Sequence, residues 1–360
     1  MREAVPCATL SPRLPPVSRI AVGSLTVSPM QANLPTEKAA EVLAYAFDQG
    51  LNFVDTAQYY ENYPILHEAF RRCRAPEKVV LSTKTYAYSH DLAVEAVEEA
   101  RRETDRDVID LFLLHEQESY LTLRGHWEAL EYLFECREKG IIRAVGASTH
   151  HTGLVRGLMQ LKREGFAPDV CHPLYNMAGI GIADGGEADM AAVLEQAHAM
   201  GIGVFGMKAL GGGHLCTKAE DALRFVLEKP FIDAVAVGMQ SVEEVDANLR
   251  FLREGSFSDI DREALAKKHR TLHVEDYCEG CGACVVRCGE GALRLVPVSE
   301  LESSAAGEKF DFTAQFRSES GLSDGDSGES IPMRAVPDDE KCVRCGYCTK
   351  VCPVFALKIY

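Results

Sequence analysis

Apolar residues in the first 255 positions of the chain follow a helical pattern that is interrupted at regular intervals. In the stretch "TEKAAEVLAYAFDQG" they recur between Ala39 and Phe47 with the spacing i, i+3, i+4, i+7 and i+8, which predicts a helix buried on one face. Thr36 suits the N-cap of this helix, and Gly50 suits its end. The β-prone stretch "LNFVDTA" follows, and the same alternation is repeated along the chain.

Eight short, nearly continuous apolar runs alternate with eight segments of helical period. The predicted strands are "IAVGSL", "NFVDTA", "VVLSTKT", "IDLFLLHE", "IRAVGAST", "DVCHPLYN", "GVFGMKAL" and "DAVAVGM". The predicted helices cover residues 36–49, 64–73, 90–104, 126–139, 152–164, 187–200, 218–228 and 242–254. Such runs are typical of parallel strands covered on both faces, and eight strand–helix pairs favour an α/β fold of the (β/α)8 TIM barrel type. A doubly wound open sheet is the competing topology, but no G-x-G-x-x-G follows the first strand.

The composition is that of a globular chain with a strong acidic balance. Its 360 residues are 46% hydrophobic and 26% charged, which leaves room for one large domain and a small one. The formal net charge of −16 argues against nucleic-acid binding and favours small molecules or basic protein surfaces as partners. We find no secretory signal and no run of 18 apolar residues, so we expect a cytoplasmic protein without a membrane span.

Polar side chains follow three neighbouring predicted strands, at the ends where a parallel barrel carries its chemistry. Asp55 follows "NFV", Lys84 follows "VVLST" and His115 follows "IDLFLL". Tyr59 and Tyr60 lie in the short loop after Asp55. Each has an ordinary alternative, since Asp55 could cap a helix, Lys84 could be a solvated strand end and His115 could be a hydrogen-bonded core group. Together they predict one site at the mouth of the barrel.

This set of side chains suits the reduction of a carbonyl group. A tyrosine hydroxyl is a weak acid with an ordinary pKa of about 10. We expect the ammonium of Lys84 to lower that pKa, so that the tyrosine can protonate a developing alkoxide. Asp55 would keep Lys84 charged and in position, and His115 would hydrogen-bond the carbonyl oxygen.

The motifs that carry these residues resemble the aldo-keto reductase family. "DTAQYY" is similar to the family's D-T-A-x-x-Y, "STKT" to its lysine strand, "LFLLHEQ" to its histidine strand and "GIIRAVGASTH" to its G-x-I-R-x-x-G-x-S-N segment. The resemblance covers approximately residues 13–254, in the family's order. It implies a barrel that reduces a carbonyl group, or oxidises an alcohol, with a nicotinamide cofactor across the strand ends. It also implies Tyr60 as the acid, five residues after Asp55, and Tyr59 as part of the pocket wall.

The cofactor half of the resemblance is less complete. The residues that it implies for cofactor binding are Ser148, Thr149, His172, Met207, Gly238 and Asn248. Thr149 stands where the family has asparagine, His172 where it has glutamine, and Met207 where it has a stacking aromatic residue. Glu244 stands where NADP-preferring members often have an arginine, and its carboxylate would repel a 2′-phosphate, which favours NADH. The alternative is that Met207, Glu244 and Asn248 only pack or face water.

Eight of the 13 cysteines form two runs with identical spacing. The gaps are two, two and three residues in "CEGCGACVVRC" and again in "CVRCGYCTKVC". Zinc sites more often show two pairs of ligands, so this duplicated pattern favours iron–sulfur clusters over zinc or free thiols. The pattern resembles bacterial-type ferredoxins with two 4Fe-4S clusters, in which the fourth cysteine of each run binds the other cluster. By that resemblance, one cluster takes Cys278, Cys281, Cys284 and Cys352, and the other takes Cys342, Cys345, Cys348 and Cys288.

These patterns together predict the order of domains. Residues 1–255 would form the barrel, residues 256–275 a connecting helix and linker, and residues 276–360 a small α+β ferredoxin-like iron–sulfur domain. The polar, acidic stretch "SESGLSDGDSGESIP" predicts an inserted loop around residues 297–340. The alternative is a docking patch for a basic redox partner.

We therefore expect an oxidoreductase that reduces an aldehyde or ketone, or oxidises the alcohol, with NAD(P)H. Its two 4Fe-4S clusters would connect the site to a redox partner protein. Two alternatives stay open: a nicotinamide-independent reductase that receives electrons through the clusters, and an electron-transfer subunit whose barrel is only a scaffold.

Overall fold

The computed structural model describes residues 4–29, 31–213, 215–266, 271–288, 291–302, 332–339, 341–342 and 347–359. The chain divides into two compact units, residues 1–268 and residues 269–360. The division falls within the segment 256–275, for which the sequence predicts a connecting helix and linker. The helix Asp259–Ala266 belongs to the first unit, and the strand Leu272–Val274 belongs to the second.

Eight parallel strands of the first unit close into a barrel, which confirms the predicted fold class. The strands of this unit are β1 (Cys7–Ala8), β2 (Val17–Ser18), β3 (Ile20–Gly23), β4 (Phe53–Asp55), β5 (Val80–Thr85), β6 (Ile109–Leu114), β7 (Ile142–Thr149), β8 (Val170–Pro173), β9 (Gly203–Gly206) and β10 (Ala234–Gly238). The order around the barrel is β10-β3-β4-β5-β6-β7-β8-β9. Each pair of neighbours is parallel, so the carboxyl ends of all eight strands meet at one mouth.

Helices surround the barrel and follow the predicted segments closely. They are α1 (Thr36–Asp48), α2 (Tyr63–Arg72), α3 (His90–Thr104), α4 (Tyr120–Gly125), α5 (Trp127–Glu138), α6 (Thr152–Arg163), α7 (Glu187–Ala199), α8 (Ala219–Leu227), α9 (Val242–Glu254) and α10 (Asp259–Ala266). Pro35 is the N-cap of α1, so Thr36 is its first helical residue and not the predicted cap. The short helix α4 was missed; Ser119 and Thr122 form a capping box at its start. No helix in the described part of the chain is long and apolar enough to cross a membrane.

The N-terminal segment fills the amino end of the barrel, a feature that the sequence pattern did not predict. Strands β1 and β2 form a small antiparallel pair. Leu10, Leu14 and Val17 are buried in one apolar cluster with inward-facing barrel residues such as Phe53 and Phe205. A second, larger apolar cluster lies between the strands and the surrounding helices. The barrel interior is therefore a packed core, as expected for this fold.

The second unit is a small α+β assembly. Its elements are β11 (Leu272–Val274), α11 (Ala283–Arg287), β12 (Leu293–Pro297), α12 (Val298–Glu302), β13 (Met333–Pro337), α13 (Tyr347–Lys350) and β14 (Leu357–Ile359). Strands β11 and β14 pair antiparallel, and so do β12 and β13. The stretch 297–340 was predicted as a loop, but its two ends carry α12 and β13; residues 303–331 lie outside the described part of the chain.

Candidate active site and cysteine-lined pocket

A buried ion pair lies at the centre of the predicted site. The ammonium of Lys84 donates to both carboxylate oxygens of Asp55, each at 2.8 Å, and to the carbonyl oxygen of Thr56 at 2.6 Å. Lys84 is fully buried and Asp55 is 5% exposed. The two residues come from the neighbouring strands β4 and β5, so the closure of the barrel sets their distance. All three donors of the lysine ammonium therefore have acceptors.

Burial and charge act in opposite directions on this pair. Burial by itself raises the pKa of Asp55, but the charge of Lys84, and then His172, outweighs it, so the pKa falls well below its ordinary value. Burial lowers the pKa of Lys84, and the charge of Asp55 acts against that change. Asp55 is therefore a carboxylate throughout the physiological range, and its negative charge favours the charged form of the buried Lys84.

Tyr60 lies beside this ion pair. It ends the short 3-10 helix Gln58–Tyr60 after β4, and the Nζ atom of Lys84 lies 4.9 Å from the centroid of its ring. Burial, and then the negative charge of Asp55, raises the pKa of Tyr60 well above its ordinary value. The expectation that Lys84 lowers this pKa is therefore wrong. The lysine donates its hydrogen bonds to Asp55 and Thr56. Burial and the charge of Asp55 keep Tyr60 protonated at neutral pH.

His115 follows β6 directly and packs between two aromatic rings. Its ring stacks on Tyr86, with centroids 4.3 Å apart, and meets the edge of Tyr60 at 5.7 Å. Burial, and then the charge of Lys84, lowers the pKa of His115, so its ring is neutral at pH 7. Among the described residues, its buried Nδ1 atom has no hydrogen-bond partner. Tyr59, the predicted wall residue, is 57% exposed and meets the edge of Tyr86.

His172, which the family resemblance assigns to cofactor binding, is buried inside the barrel next to Asp55. Its ring is 1% exposed and stacks on Phe205, with centroids 4.1 Å apart. Its Nδ1 atom is hydrogen-bonded to the carbonyl oxygen of Phe205, and its Nε2 atom lies 3.7 Å from a carboxylate oxygen of Asp55. The structure thus brings His172 together with the predicted catalytic residues.

The hydroxyl groups of Ser148 and Thr149 hold a loop of the protein itself. Ser148 accepts a hydrogen bond from the backbone N–H of Glu116 at 2.8 Å. Thr149 donates to the carbonyl oxygen of Gln117 at 2.6 Å and accepts from the backbone N–H of His151 at 2.8 Å. A hydroxyl that accepts one hydrogen bond still has a proton to donate. Ser148 therefore keeps one donor for a ligand, whereas the Thr149 proton is already used.

The other residues predicted for the cofactor lie at the ends of β9 and β10 and on α9. Met207 is half-buried and forms an isolated parallel β-bridge with Leu174. Gly238 ends β10, and a Cβ atom there would lie 2.1 Å from the side chain of Thr26, so a larger residue would require Thr26 to move. The side-chain amide nitrogen of Asn248 donates to the carbonyl oxygen of Glu244 at 2.7 Å. Its buried oxygen has no partner among the described residues, which leaves an acceptor for a bound group.

Three polar residues at this mouth were missed by the sequence reasoning. Glu116 follows His115 and accepts from the Tyr86 hydroxyl at 2.6 Å. His150 follows β7, and its Nε2 atom lies 3.1 Å from the Nζ atom of Lys208 after β9. Lys208 has a φ of +57°, a backbone conformation that is unusual for residues other than glycine. All three follow strand ends, so the criterion that found Asp55 would have found them.

In the second unit, cysteines of both runs line one pocket. The wall of this pocket contains Cys278, Cys281, Cys284 and Cys352. Burial, and then the nearby Cys278, raises the pKa of the Cys284 thiol. The backbone N–H of Ala356 donates to the sulfur of Cys352 at 3.2 Å, the kind of contact that stabilises a cluster thiolate. These are the four residues that the ferredoxin resemblance assigns to one cluster.

The residues of the second predicted cluster are described only in part. Cys348 is buried in the same apolar cluster as Cys284, and Cys288 and Cys342 are partly buried against it. The backbone N–H of Ala292 donates to the sulfur of Cys288 at 3.2 Å. Cys345 lies outside the described residues.

Within the described ranges, no three His, Cys, Asp or Glu side chains are close enough together for a single metal ion. A 4Fe-4S cluster binds one cysteine at each of its irons, so its thiolates lie farther apart than the ligands of one zinc ion. Gly280 turns with a φ of +65° next to the carbonyl oxygen of Met333, where a Cβ atom would be only 2.3 Å away. The four cysteines in the pocket wall match the number and type of ligands that one 4Fe-4S cluster needs.

The fold and the site define a class of protein: a (β/α)8 barrel with charged side chains at its strand ends, joined in one chain to a small cysteine-rich unit. Residues 19–221 match the aldo/keto reductase family, and residues 277–356 match the 4Fe-4S dicluster domain. The first match covers more than half of the 360 residues, so the chain belongs to the aldo/keto reductase family.

Individual relatives are distant. The chain is 28% identical over 157 residues to 2,5-diketo-D-gluconic acid reductase B of a Corynebacterium species, which covers 41% of this chain and 54% of that protein. It is 25% identical over 175 residues to human aldo-keto reductase family 1 member C2, which covers 40% of this chain and 53% of that protein. The chain thus spans about half the length of these curated relatives. An aldo-keto reductase of Bacillus halodurans in its holo form has the same barrel, with a TM-score of 0.59 at 18% identity over 73% of this chain and 96% of that one.

Proposed function

We propose that this chain is an oxidoreductase that reduces an aldehyde or ketone, or oxidises the corresponding alcohol, at Asp55, Tyr60, Lys84 and His115. The observation that carries the proposal is the fully buried Lys84–Asp55 pair with the protonated Tyr60 beside it. A buried ion pair of this kind is costly, because both ions lose their hydration. Its position at the mouth of a barrel, where such folds carry their chemistry, favours a catalytic role.

The chain's own residues can supply the proton for this reaction. Tyr60 is protonated at neutral pH and can pass its proton to the oxygen of a carbonyl group as negative charge develops there. The Lys84 ammonium, 4.9 Å from the ring centroid, would then stabilise the phenolate that remains. The neutral ring of His115 can donate one hydrogen bond that orients the carbonyl oxygen.

Reduction also needs a hydride at the carbonyl carbon, and we propose that a reduced nicotinamide would supply it. Ser148 and Asn248 would hold it, because Ser148 keeps a donor proton and the Asn248 side chain has a buried oxygen without a partner among the described residues. Thr149 and His172 would not contact it directly. We also propose that two 4Fe-4S clusters in the second unit exchange single electrons with a redox partner protein, and that NADH is preferred to NADPH.

The test uses anaerobically prepared, full-length protein with its iron in place. Oxidation of NADH and of NADPH would be followed with a set of aldehydes and ketones, in the parent protein and in Lys84→Met. We expect carbonyl-dependent oxidation that Lys84→Met lowers by about 10²-fold or more, because the phenolate loses its stabilising charge. Turnover that is unchanged in Lys84→Met would contradict the proposed site.

A second candidate is a reductase that takes electrons from a carrier protein and does not use nicotinamide. The hydrogen bonds of Thr149 favour it, because the residue in the usual asparagine position has no proton left for a carboxamide. Equilibrium binding of NADH and NADPH to the holoprotein separates the two candidates. Carbonyl reduction with a reduced dye, combined with no measurable nicotinamide binding, would favour the second.

A further inference from the structure

His172 lies inside the barrel with both of its ring nitrogens facing oxygen acceptors. Strand β8, which carries it, lies across the eight-strand barrel from β4, which carries Asp55. The Nδ1 atom is hydrogen-bonded to the carbonyl oxygen of Phe205, which can only accept, so Nδ1 must carry a hydrogen. The Nε2 atom lies 3.7 Å from Asp55 Oδ2 and has no hydrogen-bond partner within the described ranges.

A neutral histidine fits this environment poorly. With the hydrogen on Nδ1, a neutral ring would direct the lone pair of Nε2 towards the negative oxygen of Asp55. The ring is 1% exposed, so water does not screen this contact, and an unpaired buried nitrogen costs free energy. A hydrogen on Nε2 removes the conflict and turns it into an ion pair.

We infer that His172 is a positioning residue that carries a hydrogen on both ring nitrogens and shares the carboxylate of Asp55 with Lys84. The inference rests on the proposed function, because it assigns a role within that site. The charge is then distributed over Lys84, Asp55 and His172, with one net positive charge inside the barrel. Asp55 is held from two sides, by strands β5 and β8, and it cannot turn away from Lys84.

The charged and titratable groups around His172 come from several strand ends. Asp55 faces it from β4, Lys84 binds the same carboxylate from β5, and His115 and His150 follow β6 and β7. The positive charge of His172 is among the causes that lower the pKa values of His115 and His150, after burial and the nearer lysines. A second positive charge beside Asp55 also opposes the effect of this carboxylate, which raises the pKa of Lys84. Proton release from the Lys84 and Tyr60 pair should therefore become easier.

The first experiment observes the ring of His172 directly. The full-length holoprotein would be labelled with ¹⁵N-histidine, and the ring nitrogens observed by NMR at neutral pH; the His172→Gln spectrum assigns the signal that belongs to this residue. We expect a ring in which both nitrogens carry a hydrogen and exchange slowly with solvent. A ring with one protonated nitrogen would overturn the inference. This readout needs no turnover, so it is independent of whether the proposed reaction is correct.

The second experiment measures the pH profile of carbonyl reduction in three variants. His172→Gln places the family's neutral residue at this position and keeps a donor, whereas His172→Phe keeps only the packing. Phe205→Leu is the matched control, because it removes the stacking ring and leaves the backbone carbonyl that holds Nδ1. We expect both His172 variants to move the alkaline fall in kcat/KM upward by on the order of one pH unit, since a positive charge has been lost.

The outcomes separate charge from packing. A shift in both His172 variants, with Phe205→Leu unshifted, supports the inference, and His172→Gln should retain more activity than His172→Phe. An equal loss of activity at every pH, without a shift, would mean that His172 has only a structural role and would overturn the inference. If the parent protein shows no carbonyl reduction, the proposed function fails, and the NMR result alone decides on His172.

Discussion

Lys84 shows most directly how a single residue depends on its surroundings in this protein. Its ammonium is fully buried and lies within 2.8 Å of three oxygen atoms. A lysine at the end of an apolar strand is visible in the sequence, and so is an aspartate at the end of the preceding strand. That they form one ion pair follows once a parallel barrel is accepted, because neighbouring strand ends then meet.

The first residue-scale prediction concerns the proposed acid. Tyr60→Phe removes the hydroxyl but keeps the ring beside Lys84, so we expect carbonyl reduction to fall by about 10²–10⁴-fold. Cofactor affinity should change little, since the hydroxyl acts in the transition state. Steady-state kinetics and equilibrium binding measure the two effects. Tyr59→Phe is the matched control, since Tyr59 is 57% exposed, and a larger loss there would show that the acid has been assigned to the wrong tyrosine.

The second residue-scale prediction concerns the stability of the ion pair. Asp55→Asn leaves the Lys84 ammonium buried without a counter-charge, and we expect a loss of about 3–5 kcal/mol in the free energy of unfolding. Adding Lys84→Met removes that charge, so the double variant should recover part of the loss. Chemical denaturation followed by circular dichroism measures both. A double variant less stable than Asp55→Asn would contradict this account of the buried pair.

The pH dependence of this stabilisation follows from the lowered pKa of Asp55. A carboxyl group whose folded pKa is depressed stabilises the fold fully above its unfolded pKa, about 3.9, and loses that contribution as the pH falls through the folded pKa. We therefore expect the difference in Tm between the parent and Asp55→Asn to be constant from about pH 7 to 5 and to narrow below about pH 4. Thermal melts across this range would test it, and a difference that narrows near neutral pH would point to another group.

At the scale of single elements, the start of helix α9 shows that one residue, Glu244, can have both a structural and a binding role. Ser241 is the N-cap of this helix, and its side chain accepts from the backbone N–H of Glu244 at 3.4 Å. The Glu244 carboxylate accepts in turn from the backbone N–H of Gln240 at 2.7 Å. From the sequence, Glu244 either repels a 2′-phosphate or only packs or faces water. The structure adds that it satisfies a backbone donor at the helix start.

The element-scale prediction separates these two roles. Glu244→Gln removes the charge but keeps an oxygen that can accept from Gln240, so we expect NADPH binding to improve relative to NADH at little cost in stability. Glu244→Arg should change the preference further but lose the hydrogen bond, at a cost of about 1 kcal/mol. Titrations with both nucleotides and thermal melts measure the effects. Equal affinities for NADH and NADPH in the parent protein would remove the argument from charge.

At the scale of the whole molecule, the chain consists of two units that build their own cores. Among the described residues, the apolar clusters of the barrel are built from the first unit, and the cluster around Cys284 is built from the second. A small unit with so many cysteines in its core depends on what those cysteines bind, because metal binding and folding are coupled in such units. We therefore expect the barrel, whose described core is apolar, to fold without the clusters.

The whole-molecule prediction follows from this separation. Cys281→Ser combined with Cys345→Ser should lower the content from about eight iron atoms per chain, as two 4Fe-4S clusters require, while the barrel stays folded. Nicotinamide-linked turnover should survive at least in part, and reduction by a dye or ferredoxin should be lost. Cys136→Ser is the matched control, because Cys136 is buried in α5 of the barrel, far from both runs in the sequence. Iron analysis, circular dichroism and both assays test this prediction. A barrel that unfolds when the second unit loses its iron would refute it.

The barrel, and the placement of Asp55, Lys84 and His115 at its strand ends, could be predicted from the sequence because they depend on short-range regularities. Helical period, apolar runs and the residue that ends each run are all visible within some twenty positions, and parallel pairing then brings the ends together. The duplicated cysteine spacing is visible in the same way. Helix α4 and the N-terminal pair of strands are short and lack such a period, which is why they were missed.

Only the tertiary structure decided how these residues influence one another. The pKa of Tyr60 rises where a fall was expected, because burial and the negative charge of Asp55 both raise it. His172 meets Asp55 from the opposite side of the barrel, although nothing in the spacing of two such remote residues indicates contact. The Thr149 hydroxyl is used by a loop of the protein itself. Burial and charge act through distances in space, and the closure of the barrel sets those distances between strands that are far apart along the chain.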